Sequence, residues 1–169
     1  GWDKNPTDPG DWRDQAPARS SSWHGTHVAG IIAAQPNEGV GLSGIAPAAR
    51  ILPIRALSWN GGLTSDVAAG IIWASGGRVP GVTDNKNIAQ VINLSVASRG
   101  QCSATLQSAI DIATDNGSVV VVAAGNGTSD VRNFSPANCD NVISVGANDA
   151  TGQRATYSNF GDDVDIYAP

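Results

Sequence analysis

The chain has 169 residues, of which 41% are hydrophobic and only 15% charged. This length and composition predict one globular domain with a buried core. Ten basic and 15 acidic side chains give a net charge of −5, so we expect no nucleic-acid partner. No apolar run approaches the roughly 20 residues of a membrane-spanning helix, so we expect no membrane partner either. The chain begins at Gly1 and contains no Met, which we interpret as a processed or partial product.

The first 22 residues differ in composition from the rest of the chain. Residues 1–22 hold three of the nine prolines and show no apolar periodicity, which predicts an irregular surface loop before a core at 23–169. The core opens at Trp23 with small apolar residues that continue to Pro36. Such a run, apolar on all sides, predicts a buried helix.

Strand and helix patterns then alternate along the chain. Helices are predicted at 64–75 and 103–116, and the second stops at Gly117. Strands are predicted at 49–57, 88–94, 119–124, 142–146 and 164–167. The β-branched run at 119–124 is typical of a strand covered on both faces. This alternation predicts parallel pairing with crossovers, the α/β fold class.

A glycine-rich segment raises the alternative of a nucleotide-binding domain. Gly39, Gly41 and Gly44 match the pattern G-x-G-x-x-G. That fingerprint must follow a strand and open a helix, whereas here it follows a predicted helix and leads into a strand. We therefore interpret the glycines as a tight loop.

The two histidines, His24 and His27, are three positions apart. They do not predict a catalytic zinc site, because zinc needs three protein ligands and no cysteine cluster or H-E-x-x-H motif completes the set. At a predicted helix start, His24 is either a polar cap or a neutral ring able to accept a proton, since the helix dipole disfavours the imidazolium there. His27, one turn further into the helix, is predicted to be a core histidine.

Asn126 lies just beyond the predicted strand at 119–124, after Gly125. Ligands of open α/β sheets bind at the carboxyl ends of the strands, where an asparagine amide could donate to a developing oxyanion. The alternative is a turn asparagine before Gly127, and spacing alone favours that alternative.

Seven sequence blocks follow one another along the chain: HGTHVAG (24–30), GIAP (44–47), VINLS (91–95), VAAGN (122–126), SPA (135–137), VISVG (142–146) and YSNFG (157–161). In this order they resemble the subtilisin-like serine proteases (subtilases). The opening residues GWDKNPTDPGDW and the two cysteines resemble the secreted bacterial alkaline proteases within that family. The resemblance implies a three-layer α/β fold with a central parallel sheet, here incomplete at both ends. It also implies an extracellular, monomeric protein that acts on protein or peptide substrates.

The resemblance assigns roles to particular residues. His24 matches the general base and acid of a Ser-His-Asp triad, and Asn126 matches the side chain that donates to the oxyanion. The family often has glycines at the positions of Ala97 and Ser98, which leaves the width of the primary specificity pocket open. The residues that match the two substrate-binding segments are Ser95, Val96 and Ala97 on one side and Asn60, Gly61 and Gly62 on the other.

Two blocks of the family pattern are missing. The triad aspartate lies in Asp-Thr/Ser-Gly and the nucleophilic serine in Gly-Thr-Ser-x-Ala, and neither block is found in its expected place in this chain. We expect them to precede and follow it in the complete protein, a serine endopeptidase. Without the serine, these 169 residues alone are predicted to be inactive. The alternative is a non-catalytic peptide-binding relative. The presence of both His24 and Asn126 disfavours this alternative, because a protein without catalytic activity has no chemical need for them.

The resemblance also bears on disulfides and metals. In a secreted protein, Cys102 and Cys139 are expected to pair. Asn37 lies where many subtilases bind a structural calcium ion, and we expect no cofactor for catalysis. A second acidic group could bind calcium, although a solvated loop is the interpretation we favour. Its carboxylates are Asp3, Asp8 and Asp11.

Overall fold

The computed structural model describes residues 10–12, 18, 20–58 and 60–169. The chain divides into two compact units, Gly1–Leu63 and Thr64–Pro169. The first unit contains helix α1 (His24–Ala33). No helix among the described residues is long and apolar enough to cross a membrane. The second unit contains α2 (Thr64–Ala74), β1 (Val91–Leu94), β2 (Ser98–Arg99), α3 (Ala104–Asp115), β3 (Val119–Ala123), a 3₁₀ turn (Val131–Asn133), β4 (Phe134–Ser135), β5 (Val142–Ala147) and β6 (Ile166–Ala168).

A parallel sheet of four strands organises the second unit, in the order β1-β3-β5-β6. Val91 pairs with Val119 and Val120 pairs with Val142, and every neighbouring pair of strands runs in parallel. Helix α3 connects β1 to β3, as a parallel connection requires. The predicted α/β class is confirmed.

One face of this sheet packs against α2 and α3. Val120 and Val122 of β3 are each 1% exposed and lie in one hydrophobic cluster with Ile71 of α2 and Ile110 of α3. Helix α3 is set by its cap, because the Ser103 hydroxyl accepts a hydrogen bond from the backbone N–H of Leu106. The core of the second unit therefore lies between these two helices and one side of the sheet.

The other face of the sheet is apolar and exposed. Side chains alternate between the faces of a strand, so the neighbours of the core residues point away from α2 and α3. Val121, Ala123 and Val145 are half-buried on this face, whereas four other apolar side chains are 39% to 60% exposed. The prediction that 119–124 is covered on both faces is therefore confirmed for one face only, since β-branched composition does not specify what covers a face. The exposed residues are Val91, Val119, Ile143 and Ile166.

Two predictions in the first unit are wrong. Helix α1 forms as expected but has no buried residue, and His27 is exposed rather than in a core, because an apolar sequence predicts a helix without specifying what covers it. Residues 49–57 form no strand. Apolar spacing alone does not make a strand without a hydrogen-bonded neighbour, and Ile51 and Ile54 are 43% and 40% exposed.

Candidate functional site

Asn126 lies exposed in the loop that leaves the carboxyl end of β3. Ala124 and Gly125, which precede it, are buried. Gly125 has φ of 102°, and a Cβ at this position would lie 2.5 Å from Nδ2 of Asn159. Glycine is therefore required here for both its backbone angle and its lack of a side chain.

The loop is held by Asn159, a residue to which sequence reasoning assigned no role. Asn159 is fully buried, and its Nδ2 donates to the carbonyl oxygen of Ala124 at 2.7 Å. Its Oδ1 accepts from the backbone N–H of Gly127 at 2.9 Å and of Ser129 at 3.1 Å. Its own backbone N–H donates to the carbonyl of Gly125 at 2.9 Å. The signal was present in the YSNFG block, because an amide can both donate and accept.

The segment Ser95, Val96 and Ala97 lies between β1 and β2, next to the Asn126 loop. β1 and β3 are parallel neighbours, so their carboxyl ends meet at one edge of the sheet, where Leu94 pairs with Val122. Cβ of Ala97 is 3.4 Å from the position of a Cβ built on Gly125. The structure therefore brings together the predicted substrate segment and the predicted oxyanion donor.

A short antiparallel ladder, which was not predicted from the sequence, follows this segment. Ser98 and Arg99 of β2 pair with Ser135 and Phe134 of β4. The ring of Phe134 packs against the Asn126 loop, since its Cζ is 2.9 Å from a Cβ built on Gly127. Strands of two residues are too short to show a periodic pattern, and long-range pairing specifies them.

A disulfide and two hydrogen bonds stabilise the end of this ladder. The expected disulfide between Cys102 and Cys139 is present, with the Cα atoms 5.2 Å apart. The side chain of Asn138 donates to the carbonyl of Gly100 at 2.9 Å. Gln107 of α3 accepts from the backbone N–H of Asp140 at 2.8 Å. The peptide after Ala97 is thus anchored to the loop that follows β4.

His24, in the first unit, is the first residue of α1 and is exposed. Its backbone N–H donates to the Ser22 hydroxyl at 3.3 Å, and that hydroxyl donates to the Asp11 carboxylate at 2.7 Å. The hydroxyl and backbone N–H of Ser22, followed by the hydroxyl of Ser21, hold the pKa of the Asp11 carboxyl well below its usual range. Asp11 thus organises the turn that precedes His24, and Asp3 and Asp8 lie outside the described residues.

The second predicted substrate loop, Asn60, Gly61 and Gly62, also lies in the first unit. Ser58 and Gly61 exchange two backbone hydrogen bonds of 2.8 and 3.1 Å, and Gly61 has φ of 85°. A Cβ on Gly62 would lie 2.5 Å from the carbonyl oxygen of Ala56. Turn chemistry therefore accounts for both glycines.

The structure places Asn37, the predicted calcium ligand, in the loop that follows α1. Asn37 is exposed, with φ of 66°. No group of three or more His, Cys, Asp or Glu residues in the described ranges could hold a metal ion. A calcium ion takes 6–8 oxygen ligands, so Asn37 alone does not define a site.

Comparison with known proteins shows the family. Residues 2–169 match the subtilase family, peptidase S8. The chain is 50% identical over its whole length to an extracellular protease of Xanthomonas campestris and 45% identical over 99% of its length to an extracellular basic protease of Dichelobacter nodosus. Among solved structures, a protease of Pseudoalteromonas arctica matches 99% of the chain with a TM-score of 0.94 and 49% identity.

These matches place the chain in a protein family. The fold is that of the subtilisin-like proteases, and the chain belongs to the subtilase family of serine proteases. It spans 30% and 29% of the length of the Xanthomonas and Dichelobacter proteins, and 51% of the Pseudoalteromonas chain.

Proposed function

We propose that the complete protein is a secreted, subtilisin-like serine endopeptidase, and that this chain is the central part of its peptidase domain. The observation that carries the proposal is Asn126, exposed just beyond the carboxyl end of β3, where the preceding Gly125 lies against Ala97 of the proposed substrate segment. Secretion is supported by two relatives that are named extracellular proteases. The disulfide fits an oxidising compartment.

In the proposed reaction, a serine outside these 169 residues attacks the scissile carbonyl of the substrate. His24 accepts the proton of that serine and delivers it to the leaving amine, which leaves an acyl-serine ester. His24 then accepts a proton from a water molecule as its oxygen attacks the ester carbon, and returns that proton to the serine oxygen as the carboxylic acid product leaves. Asn126 donates its amide N–H to the oxygen that becomes negatively charged in the tetrahedral intermediate. No step needs a metal ion or an organic cofactor.

Substrate binding is assigned to Ser95, Val96 and Ala97, with Asn60, Gly61 and Gly62 as the second segment. An extended peptide adds to an exposed segment through main-chain hydrogen bonds, and pockets for alternate side chains provide specificity. The substrate is therefore an unfolded stretch of protein or a peptide. The β2–β4 ladder after Ala97, which the disulfide stabilises, supports this assignment. A segment that binds substrate loses less free energy on binding when it already has its bound geometry in the free protein.

The exposed face of the sheet supports the proposal that the rest of the protein contributes a further layer. Val91 and Ile166 are 60% and 56% exposed, and α/β folds of this kind cover both faces of a parallel sheet. A third layer in the complete protein would cover these side chains. The isolated chain is accordingly expected to be only marginally stable.

The test replaces Asn126 in the full-length protein. Asn126→Ala is expected to lower kcat for a chromogenic peptide by about 10²–10³, the loss known for this donor in subtilisin, a member of the same family, and to leave KM nearly unchanged. Asn133→Ala, which alters another exposed asparagine of the second unit, is the matched control. A loss in Asn126→Ala no greater than in the control would contradict the proposed role.

A serine-directed phosphonate separates the endopeptidase from a non-catalytic peptide-binding relative. Covalent labelling of the full-length protein, lost in His24→Ala, is expected for the enzyme because the phosphonate reports an activated serine. A protein that binds peptides but is not labelled would be the non-catalytic relative.

Calcium near Asn37 and a monomeric state remain predictions, testable by metal analysis and by light scattering.

A further inference from the structure

The loop that carries Asn126 does not define its own conformation. Asn126 stands between Gly125 and Gly127, and glycine restricts the backbone less than any other residue. An oxyanion donor must nevertheless be held in place before the reaction, because a preorganised donor needs no reorganisation as charge develops. The restraint must therefore come from contacts outside the loop.

Asn159 provides that restraint on both sides of Asn126. It bonds to Ala124 and Gly125 before the asparagine and to Gly127 and Ser129 after it. The approach is close, since a Cβ built on Gly125 would lie 2.5 Å from Nδ2 and one built on Gly127 would lie 3.2 Å from Oδ1. The two glycines therefore allow the Asn159 amide to lie directly against the loop backbone.

Asn159 is itself fixed to the rest of the fold. The Ser158 hydroxyl, which is buried, accepts from the backbone N–H of Ala147 at the end of β5. Arg154 donates to the Ser158 carbonyl at 2.7 Å and stacks its guanidinium 5.1 Å from the centre of the Phe160 ring. The residues on both sides of Asn159 are thus held, so it acts as a rigid link between the sheet and the loop.

We propose that Asn159 is a positioning residue for catalysis, which sets the oxyanion donor Asn126 through the backbone of residues 124–129. The proposal rests on the proposed function. The link requires an amide, because Nδ2 donates to a carbonyl while Oδ1 accepts from two N–H groups. An aspartate of the same shape would place a carboxylate oxygen against the carbonyl of Ala124 and repel it.

The test uses Asn159→Asp in the full-length protein, with Asn85→Asp as the matched control. Asn85 is also a buried asparagine that donates to carbonyls, those of Trp73 and Ala74, and accepts from the N–H of Asn87. Asn159→Asp is expected to lower kcat about 10–100-fold, with KM changed less than about 3-fold, since small displacements of a reacting group cost this much. A peptide boronate, which forms a tetrahedral adduct, should bind more weakly by a similar factor. Asn85→Asp should leave kcat unchanged.

A double variant distinguishes positioning from a general structural role. If Asn159 acts through Asn126, adding Asn159→Asp to Asn126→Ala should lower kcat by less than about 2-fold more. An equal loss in both backgrounds, or normal kcat in Asn159→Asp, would overturn the proposal. If Asn126→Ala alone has no effect, the oxyanion assignment in the proposed function fails instead, and faster amide exchange of Gly127 and Ser129 in Asn159→Asp still tests the link. Should Asn159→Asp not fold, Asn159→Ser is measured in the same way.

Discussion

Removal of the disulfide provides a quantitative test of how the proposed substrate segment, Ser95 to Ala97, is anchored. Cys102 and Cys139 are 37 positions apart in sequence. In the chain-entropy account, a crosslink closing a loop of this length destabilises the unfolded state by about 4 kcal/mol. In the folded state, the β2–β4 ladder and the Asn138 side chain hold the same region without the crosslink. We therefore expect Cys102→Ala/Cys139→Ala to lose about 4 kcal/mol of unfolding free energy while keeping its kcat.

The assay is urea unfolding of the full-length protein, with its active-site serine blocked to prevent autolysis. Dithiothreitol provides the matched control, because it should destabilise the wild type to the level of the double variant and leave the variant unchanged. A variant within about 1 kcal/mol of the wild type would refute the entropic reasoning. A large loss of kcat at a temperature where the variant is folded would show that the ladder does not hold the segment by itself.

Three further predictions concern the helix cap, a surface carboxylate and the proposed specificity pocket. Ser103→Ala should lower the unfolding free energy by about 1 kcal/mol, and Ser103→Thr by less, in the same urea assay. The hydrogen bonds and charge of Arg132 lower the pKa of Asp130 from 3.8 to about 2, so its contribution to stability is present above pH 3.8 and is lost as pH falls through about 2. Arg132→Gln should return that pKa towards 3.8 by carboxyl NMR, and an unchanged value would exclude Arg132 as the cause. Ala97→Gly should raise kcat/KM for an aromatic residue before the scissile bond, relative to alanine, by roughly 10-fold; equal ratios in both proteins would remove Ala97 from the pocket.

Several elements of the fold could be predicted because their signals are local. Helix α3 has a serine cap, a 3.6-residue apolar spacing and a glycine stop, and the structure places it at Ala104–Asp115. β3 could be predicted from its run of valines. Residues 49–57 have an equally apolar pattern and form no strand, because pairing depends on a neighbour that the pattern does not contain.

The sequence by itself determined the family, the α/β class and the identity of His24 and Asn126 as candidates, since ordered blocks and periodic spacing are properties of the chain alone. Only the tertiary structure decided how Asn126 is held. Asn159 is 33 positions further along the chain than Asn126, and its amide reaches the loop only because β3 and β5 are adjacent and the YSNFG turn folds back over their ends. Contacts between distant residues depend on how the strands pair, and no local pattern specifies that pairing.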